Sequence, residues 1–190
     1  NQRSGKGVNR YADGDVYTGE WLNDIQNGKG IYKFQNGDVY EGDYVQGERT
    51  GMGIFRYQNG DRYTGHFSEG DKEGHGTLQW KNGDVYDGDW KGDTQNGHGK
   101  LTKKNGDVYD GQFKNGVLDG EVIIHFADGS KFKGTYRAGK RNGAAIEESK
   151  DGVRFEGNYV DDQRDGKFVE KDRNGQITAR GTYNMGYRQE

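Results

Sequence analysis

Cysteine and proline are both absent from this sequence. Without cysteine there is no disulfide staple and no thiolate to hold a metal. Without proline nothing interrupts a β-ladder from within. Hydrophobic residues make up only 28% of the chain, a level at which composition alone would indicate disorder. No apolar run is long enough for a membrane-spanning helix or a secretory signal, and no Asn-x-Ser/Thr acceptor occurs. Neither sign of charge dominates: 28 basic against 31 acidic residues leave a net charge of -3. Bulk electrostatics therefore gives no reason to expect nucleic acid and none for strong attraction to an anionic membrane. These absences fit a cytoplasmic protein. What the chain does have is glycine, 35 residues of it, and rings: 13 Tyr, 8 Phe and 3 Trp. Large rings bury much area per residue, so a few in phase can supply a core.

The rings are in phase. Tyr17, Tyr40, Tyr63, Tyr86, Tyr109, Phe132 and Phe155 fall 23 residues apart, each followed two positions later by glycine. A period of this length marks a tandem array whose units are stabilised by stacking on their neighbours. Such an array favours binding over chemistry. The repeats start at residues 17, 40, 63, 86, 109, 132 and 155, preceded by a partial repeat at 1–16 and followed by a degenerate terminal repeat at 179–190. One continuous array, residues 1–190, is expected. Gly5-Lys6-Gly7 resembles the back half of a unit, which suggests a fragment of a longer array.

Within Tyr40 to Arg62, the run Tyr40-Glu41-Gly42-Asp43-Tyr44 alternates with period two, placing Tyr40, Gly42 and Tyr44 on one face of a strand and acidic residues on the other. A polar loop follows. Gly53-Ile54-Phe55-Arg56-Tyr57 then repeats the alternation, so each unit carries two short strands. Asn59-Gly60 leads into the next unit, as do Asn36-Gly37, Asn82-Gly83 and Asn105-Gly106, and both residues of Asn-Gly tolerate the positive φ of a tight hairpin. Glycines on the ring-bearing face let a ring across the strand lie over exposed backbone. The fold class is all-β, a single-layer antiparallel β-meander of tandem 23-residue β-hairpin repeats, elongated to about 75 Å at the usual strand spacing.

Y-x-G-x-W/F/Y, a polar loop, then G-x-G and N-G-D within 23 residues resembles the MORN repeat over essentially the whole chain. That resemblance implies β-hairpin repeats in an elongated sheet. It also implies roles as membrane-associated modules, protein-interaction platforms or cytoskeletal scaffolds, and an all-repeat chain is most similar to the scaffolds. The pattern decays toward the C-terminus, where the second glycine of G-x-G becomes Val122, Ala145 and Phe168, and the register slips by one after Gly175.

No catalytic constellation is present, and the chain is expected to be non-enzymatic and free of cofactors. His75 and His98 share a phase but lie too far apart to chelate one ion, so no metal site is expected there. Asp161, Gln163, Asp165, Gly166 and Asp172 loosely imitate a calcium loop without its helices. Asp38, Asp61, Asp84 and Asp107 recur after each Asn-Gly, where an aspartate accepts local backbone N–H groups. Two surfaces remain as candidates. The first is an aromatic protein-binding face: Tyr17, Trp21, Tyr40, Tyr44, Tyr63, Phe67, Tyr86, Trp90, Tyr109 and Phe113. It reads either as core or as a groove for an extended or helical peptide or an acyl chain. The second is a dimer interface at the C-terminal end, where Phe155, Tyr159, Phe168, Tyr183 and Tyr187 keep their rings. Terminal repeats read equally well as a polar cap.

These features predict a structural scaffold that homodimerises through its C-terminal repeats, with higher oligomers open to it, and organises cytoskeletal assemblies. Its partners would be cytoskeletal or membrane-associated proteins. The alternative is a peripheral module binding individual phospholipids or phosphoinositides, for which Lys131, Lys133, Arg137, Lys140 and Arg141 form the only basic stretch.

Overall fold

The computed structural model describes residues 2–189, which form seventeen strands and no helix. All pairings are antiparallel. The chain divides into two compact units, one ending at Thr94 and one beginning at Gln95.

In the first unit β1 (Gly5–Arg10), β2 (Val16–Leu22), β3 (Ile25–Lys33), β4 (Val39–Val45), β5 (Glu48–Arg56), β6 (Arg62–Ser68), β7 (Asp71–Gln79) and β8 (Val85–Lys91) pair each with the next. The second contains β9 (Thr94–Thr102), β10 (Val108–Lys114), β11 (Val117–His125), β12 (Lys131–Arg137), β13 (Lys140–Glu148), β14 (Arg154–Val160), β15 (Gln163–Lys171), β16 (Ile177–Asn184) and β17 (Tyr187–Arg188), again paired in chain order.

The two turns of a repeat differ from expectation in an instructive way. Asn-Gly is not the tight turn with two positive φ angles: of that pair only the glycine is left-handed, Gly37 at 96°. Gly37 N–H donates to Phe34 C=O at 3.0 Å and Phe34 N–H to Asp38 C=O at 2.9 Å, which describes a three-residue loop closed by a glycine bulge. The two-residue turn lies at the other end of the hairpin, in the stretch expected to be a polar loop. Gln46 (52°) and Gly47 (86°) are both left-handed there, as are Asn23 and Asp24, or Asp161 and Asp162. Strand β5 therefore starts at Glu48 and runs through most of that stretch.

The two glycines of G-x-G do different work. The first takes positive φ, 59° at Gly51, inside a bulge: Gly42 pairs with Gly53 but Asp43 pairs with Thr50. The second lies under a ring. A Cβ on Gly53 would sit 2.6 Å from Tyr40 Cε2, and one on Gly30 would sit 2.4 Å from Tyr17. The register slip after Gly175 is also a bulge, since Glu170 pairs with Ala179 and Lys171 with Ile177, leaving Thr178 extra.

Candidate interaction surfaces

On the ring face of the first unit, Tyr17, Tyr40, Tyr63 and Tyr86 are fully buried. Each hydroxyl donates to the backbone carbonyl three residues on, Tyr17 to Glu20 at 3.0 Å and Tyr63 to His66 at 3.0 Å, which anchors the ring flat over its own strand. Tyr17, Tyr40 and Tyr63 each also meet two other rings edge-on. Tyr40 has Tyr44 at 5.4 Å and Phe67 at 5.0 Å; Tyr63 has Phe67 at 5.2 Å and Trp90 at 5.2 Å. Edge-to-face contacts are the favoured geometry for such quadrupoles. Burial pushes the Tyr17 and Tyr40 hydroxyls up to about 12.

A single-layer sheet has no second layer to cover this face. The protein supplies the cover itself. One position of the period carries Arg3, Gln26, Arg49, Lys72, Gln95, Leu118, Arg141 and Arg164, and its five cations lie over rings. The Arg49 guanidinium stands 5.6 Å from Tyr40 and 5.6 Å from Phe67, and Lys72 Nζ stands 5.6 Å from Tyr63 and 5.2 Å from Trp90. In the second unit Arg141 covers Tyr159 at 4.5 Å and Arg164 covers Phe155 at 3.8 Å. The column recurs every 23 residues, with Leu118 the one apolar member.

Trp21, Tyr44, Phe67, Trp90 and Phe113 are likewise buried, and Tyr109 half-buried. In the first unit the aromatic candidates thus form a filled interior, not an open groove, with backbone glycine beneath the rings and Arg3, Arg49 and Lys72 above them; Tyr109, in the second unit, is less completely covered. Of the dimer candidates, Phe155, Tyr159 and Phe168 are buried in one cluster with Val122, Ile124, Phe132 and Ala145; Tyr183 packs against it, and only Tyr187, 78% exposed, faces solvent. Where Val122, Ala145 and Phe168 replace glycine, the ring above changes: two of those repeats carry Phe132 and Phe155 in place of tyrosine, and a Cβ on Gly111 would meet Val122 and not the Tyr109 ring.

The opposite face is where the surface is open. In the first unit a groove of 840 Å³ runs over the glycine column, whose backbone at Gly19, Gly30, Gly42 and Gly53 forms its floor. Val8, Thr18, Ile31, Met52, Ile54 and Thr64 line it, with Val8 60% and Met52 50% exposed. This face, expected to be acidic, is apolar along its centre because Val8, Ile31, Met52 and Ile54 occupy it; charges beside them pair across strands, Lys29 with Asp43 at 2.6 Å and Arg56 with Glu41 at 3.2 Å. The second unit has its own groove of 1040 Å³ over Gly111, Gly134 and Gly157, lined by Ile123 and Ile146 and carrying Asp110, Glu121, Lys133 and Glu156.

The remaining polar candidates have local roles. Asp15, Asp38, Asp61 and Asp107 each accept a backbone N–H from the following turn, Gln58 N donating to Asp38 at 2.7 Å and Lys81 N to Asp61 at 2.8 Å. His75 Nε2 lies 3.1 Å from Asp87, and His98 Nε2 lies 2.8 Å from Asp110. The calcium-like segment is dispersed: Asp161 and Asp162 make a turn, Asp165 accepts Met185 N, and Asp172 accepts Asn174 N and Gln176 N. Among the described residues no three His, Asp or Glu side chains gather into a metal-holding group. The basic stretch is divided too, with Arg141 turned over Tyr159 and paired with Asp162 at 3.2 Å.

An open antiparallel sheet with one face filled by periodic rings defines a repeat-based interaction or membrane-association module. The chain belongs to the MORN repeat family: the family model matches residues 1–16, 17–39, 40–62, 63–85, 86–108, 109–131, 132–154 and 155–177. No curated protein matches it in sequence. Among solved structures it is similar to the SAS-4 (dCPAP) TCP domain of Drosophila melanogaster, in complex with a proline-rich motif of Ana2, at TM-score 0.54 and 17% identity, covering 94% of this chain and 90% of that one. It is also similar to a mutant TCP10 domain of Danio rerio CPAP, at TM-score 0.50 and 15% identity, with 94% and 90% covered. At these identities the likeness is one of fold.

Proposed function

We propose that this chain is a non-catalytic scaffold that binds extended segments of protein partners in the grooves opposite its ring face, homodimerises, and serves cytoskeletal assemblies in the cytoplasm. One observation carries the reading: the ring face of the first unit is filled by its own rings and cations, while the opposite face offers an open, glycine-floored groove in each unit, apolar along its centre in the first. Glycine lets a partner backbone approach closely, and alternate side chains of an extended peptide would find Ile31 and Ile54. The Drosophila TCP domain, of similar fold, was solved with a proline-rich motif, so proline-rich sequences belong among the probes.

A displayed peptide library selected on the protein tests this. The selected peptides should lose at least tenfold in affinity for an Ile31→Lys, Ile54→Lys variant. Equal binding to that variant would remove the groove from the account. Membrane association, the other reading, is weakened by the pairing of Lys131 with Glu148 at 4.0 Å and of Arg141 with Asp162. Vesicles containing anionic lipid should bind weakly and release the protein at physiological salt. Retention there, abolished by Lys131→Glu with Arg137→Glu, would favour lipid.

A further inference from the structure

The column over the rings holds five cations, two glutamines and one apolar residue. Leu118 lies directly across from Phe113, where the equivalent hairpins place Arg49 across from Tyr44, Lys72 across from Phe67 and Arg141 across from Tyr136. Arg49 and Lys72 each bridge the first ring of their own repeat and the second ring of the next: Tyr40 and Phe67 for one, Tyr63 and Trp90 for the other. By the same register Leu118 belongs over Tyr109 and Tyr136. A leucine is shorter than an arginine and offers those rings no charge.

The consequence is a hollow of 600 Å³ on the ring face of the second unit, lined by Tyr109, Leu118, Ile124, Phe126, Phe132 and Tyr136. Four rings converge there. Arg141 and Asp162 form part of its wall, and three hydrogen bonds donated by Arg141 to Asp162 commit the guanidinium to its place over Tyr159.

We infer that this hollow receives an arginine side chain from a partner protein, which completes over Tyr109 and Tyr136 the cation–ring column that the chain builds elsewhere from its own residues. Rings in this arrangement attract a planar guanidinium through their faces, and a stem of methylenes fits Leu118 and Ile124. Arg141 does not exclude it, because consecutive column cations coexist at this spacing: Arg141 and Arg164 occupy adjacent repeats. The site lies on the ring face and does not depend on the grooves opposite.

Three short peptides of the form acetyl-Gly-X-Gly-amide, with X arginine, citrulline or norleucine, test the inference by NMR of the tyrosine rings. The arginine peptide should shift the Tyr109 and Tyr136 signals saturably at millimolar concentration, and the citrulline and norleucine peptides should bind at least tenfold more weakly. Leu118→Arg should fill the hollow from within and abolish the shifts. Phe126→Leu, which keeps the leucine roof but removes a ring, should weaken the arginine peptide several-fold. Absence of any shift with the arginine peptide would overturn the inference. So would norleucine binding as well as arginine, which would make the hollow a plain apolar pocket, or arginine binding unchanged in Leu118→Arg.

Discussion

A single methyl group decides which ring can sit over a glycine. At Gly53 a Cβ would approach three atoms of the Tyr40 ring within 3 Å, the hydroxyl oxygen among them at 2.7 Å. Gly53→Ala should therefore cost about 1–3 kcal/mol in denaturant unfolding, as overpacking does. The C-terminal repeats show the compensated version, Ala145 beneath a sheet position served by Phe132. In a Tyr40→Phe background the same substitution should cost less, with a coupling of at least about 0.5 kcal/mol in a double-mutant cycle. Strict additivity would mean that the ring is not what the glycine accommodates. The tyrosines also set an alkaline limit. Burial raises Tyr17 and Tyr40 from 10.0 to about 12, so above pH 10 the unfolded chain releases protons that the fold retains. Stability from this source is complete below pH 10 and falls between pH 10 and about pH 12. Thermal midpoints across that range should drop in parallel with the appearance of tyrosinate absorbance.

At the scale of strands and turns, each hairpin is tied to the next by an aspartate. Asp38→Ala removes the acceptor of Gln58 N and the partner of Asn36 Nδ2, and should cost about 1–2 kcal/mol while raising hydrogen exchange chiefly at the turn around Asn59. Loss of protection spread evenly along the unit would contradict a nearest-neighbour array. The aspartate was legible in the sequence as a backbone acceptor, but not its reach, because the donor lies 20 residues away. Strand alternation, the ring column and the period were legible for the same reason: period two and period 23 are properties of the sequence itself. The turns were not. Asn-Gly suits two hairpin types, and only the partner register separates them: Asn36-Gly37 closes a three-residue loop, whereas Asn115-Gly116 is a two-residue turn with both φ positive, a place filled elsewhere by pairs such as Gln46-Gly47 and Ala138-Gly139 that carry a weaker signal. Missed for a different reason was the cover of the rings. A column of Arg, Lys and Gln reads as solvated surface until its hairpin partner is known to be an aromatic residue.

For the whole molecule, the account predicts a binding protein that self-associates. Truncation after Gly152 would strip Phe155, Tyr159 and Phe168 from the cluster that buries Val122 and Phe132, so loss of dimer in such a chain would not separate interface from fold. Exposed residues give the cleaner test: mass across a concentration series should show a dimer that Tyr187→Asp with Met185→Asp weakens while thermal stability is unchanged. The central claim, that extended partner segments lie in the groove of the first unit and not over the rings of that unit, is tested most directly by hydroxyl-radical footprinting with a selected peptide bound. Met52, half exposed in the groove, should be oxidised in the free protein and protected in the complex, with Tyr40 and Tyr63 silent in both states. Met52 left reactive in the complex, with changes confined to residues over the rings, would contradict it.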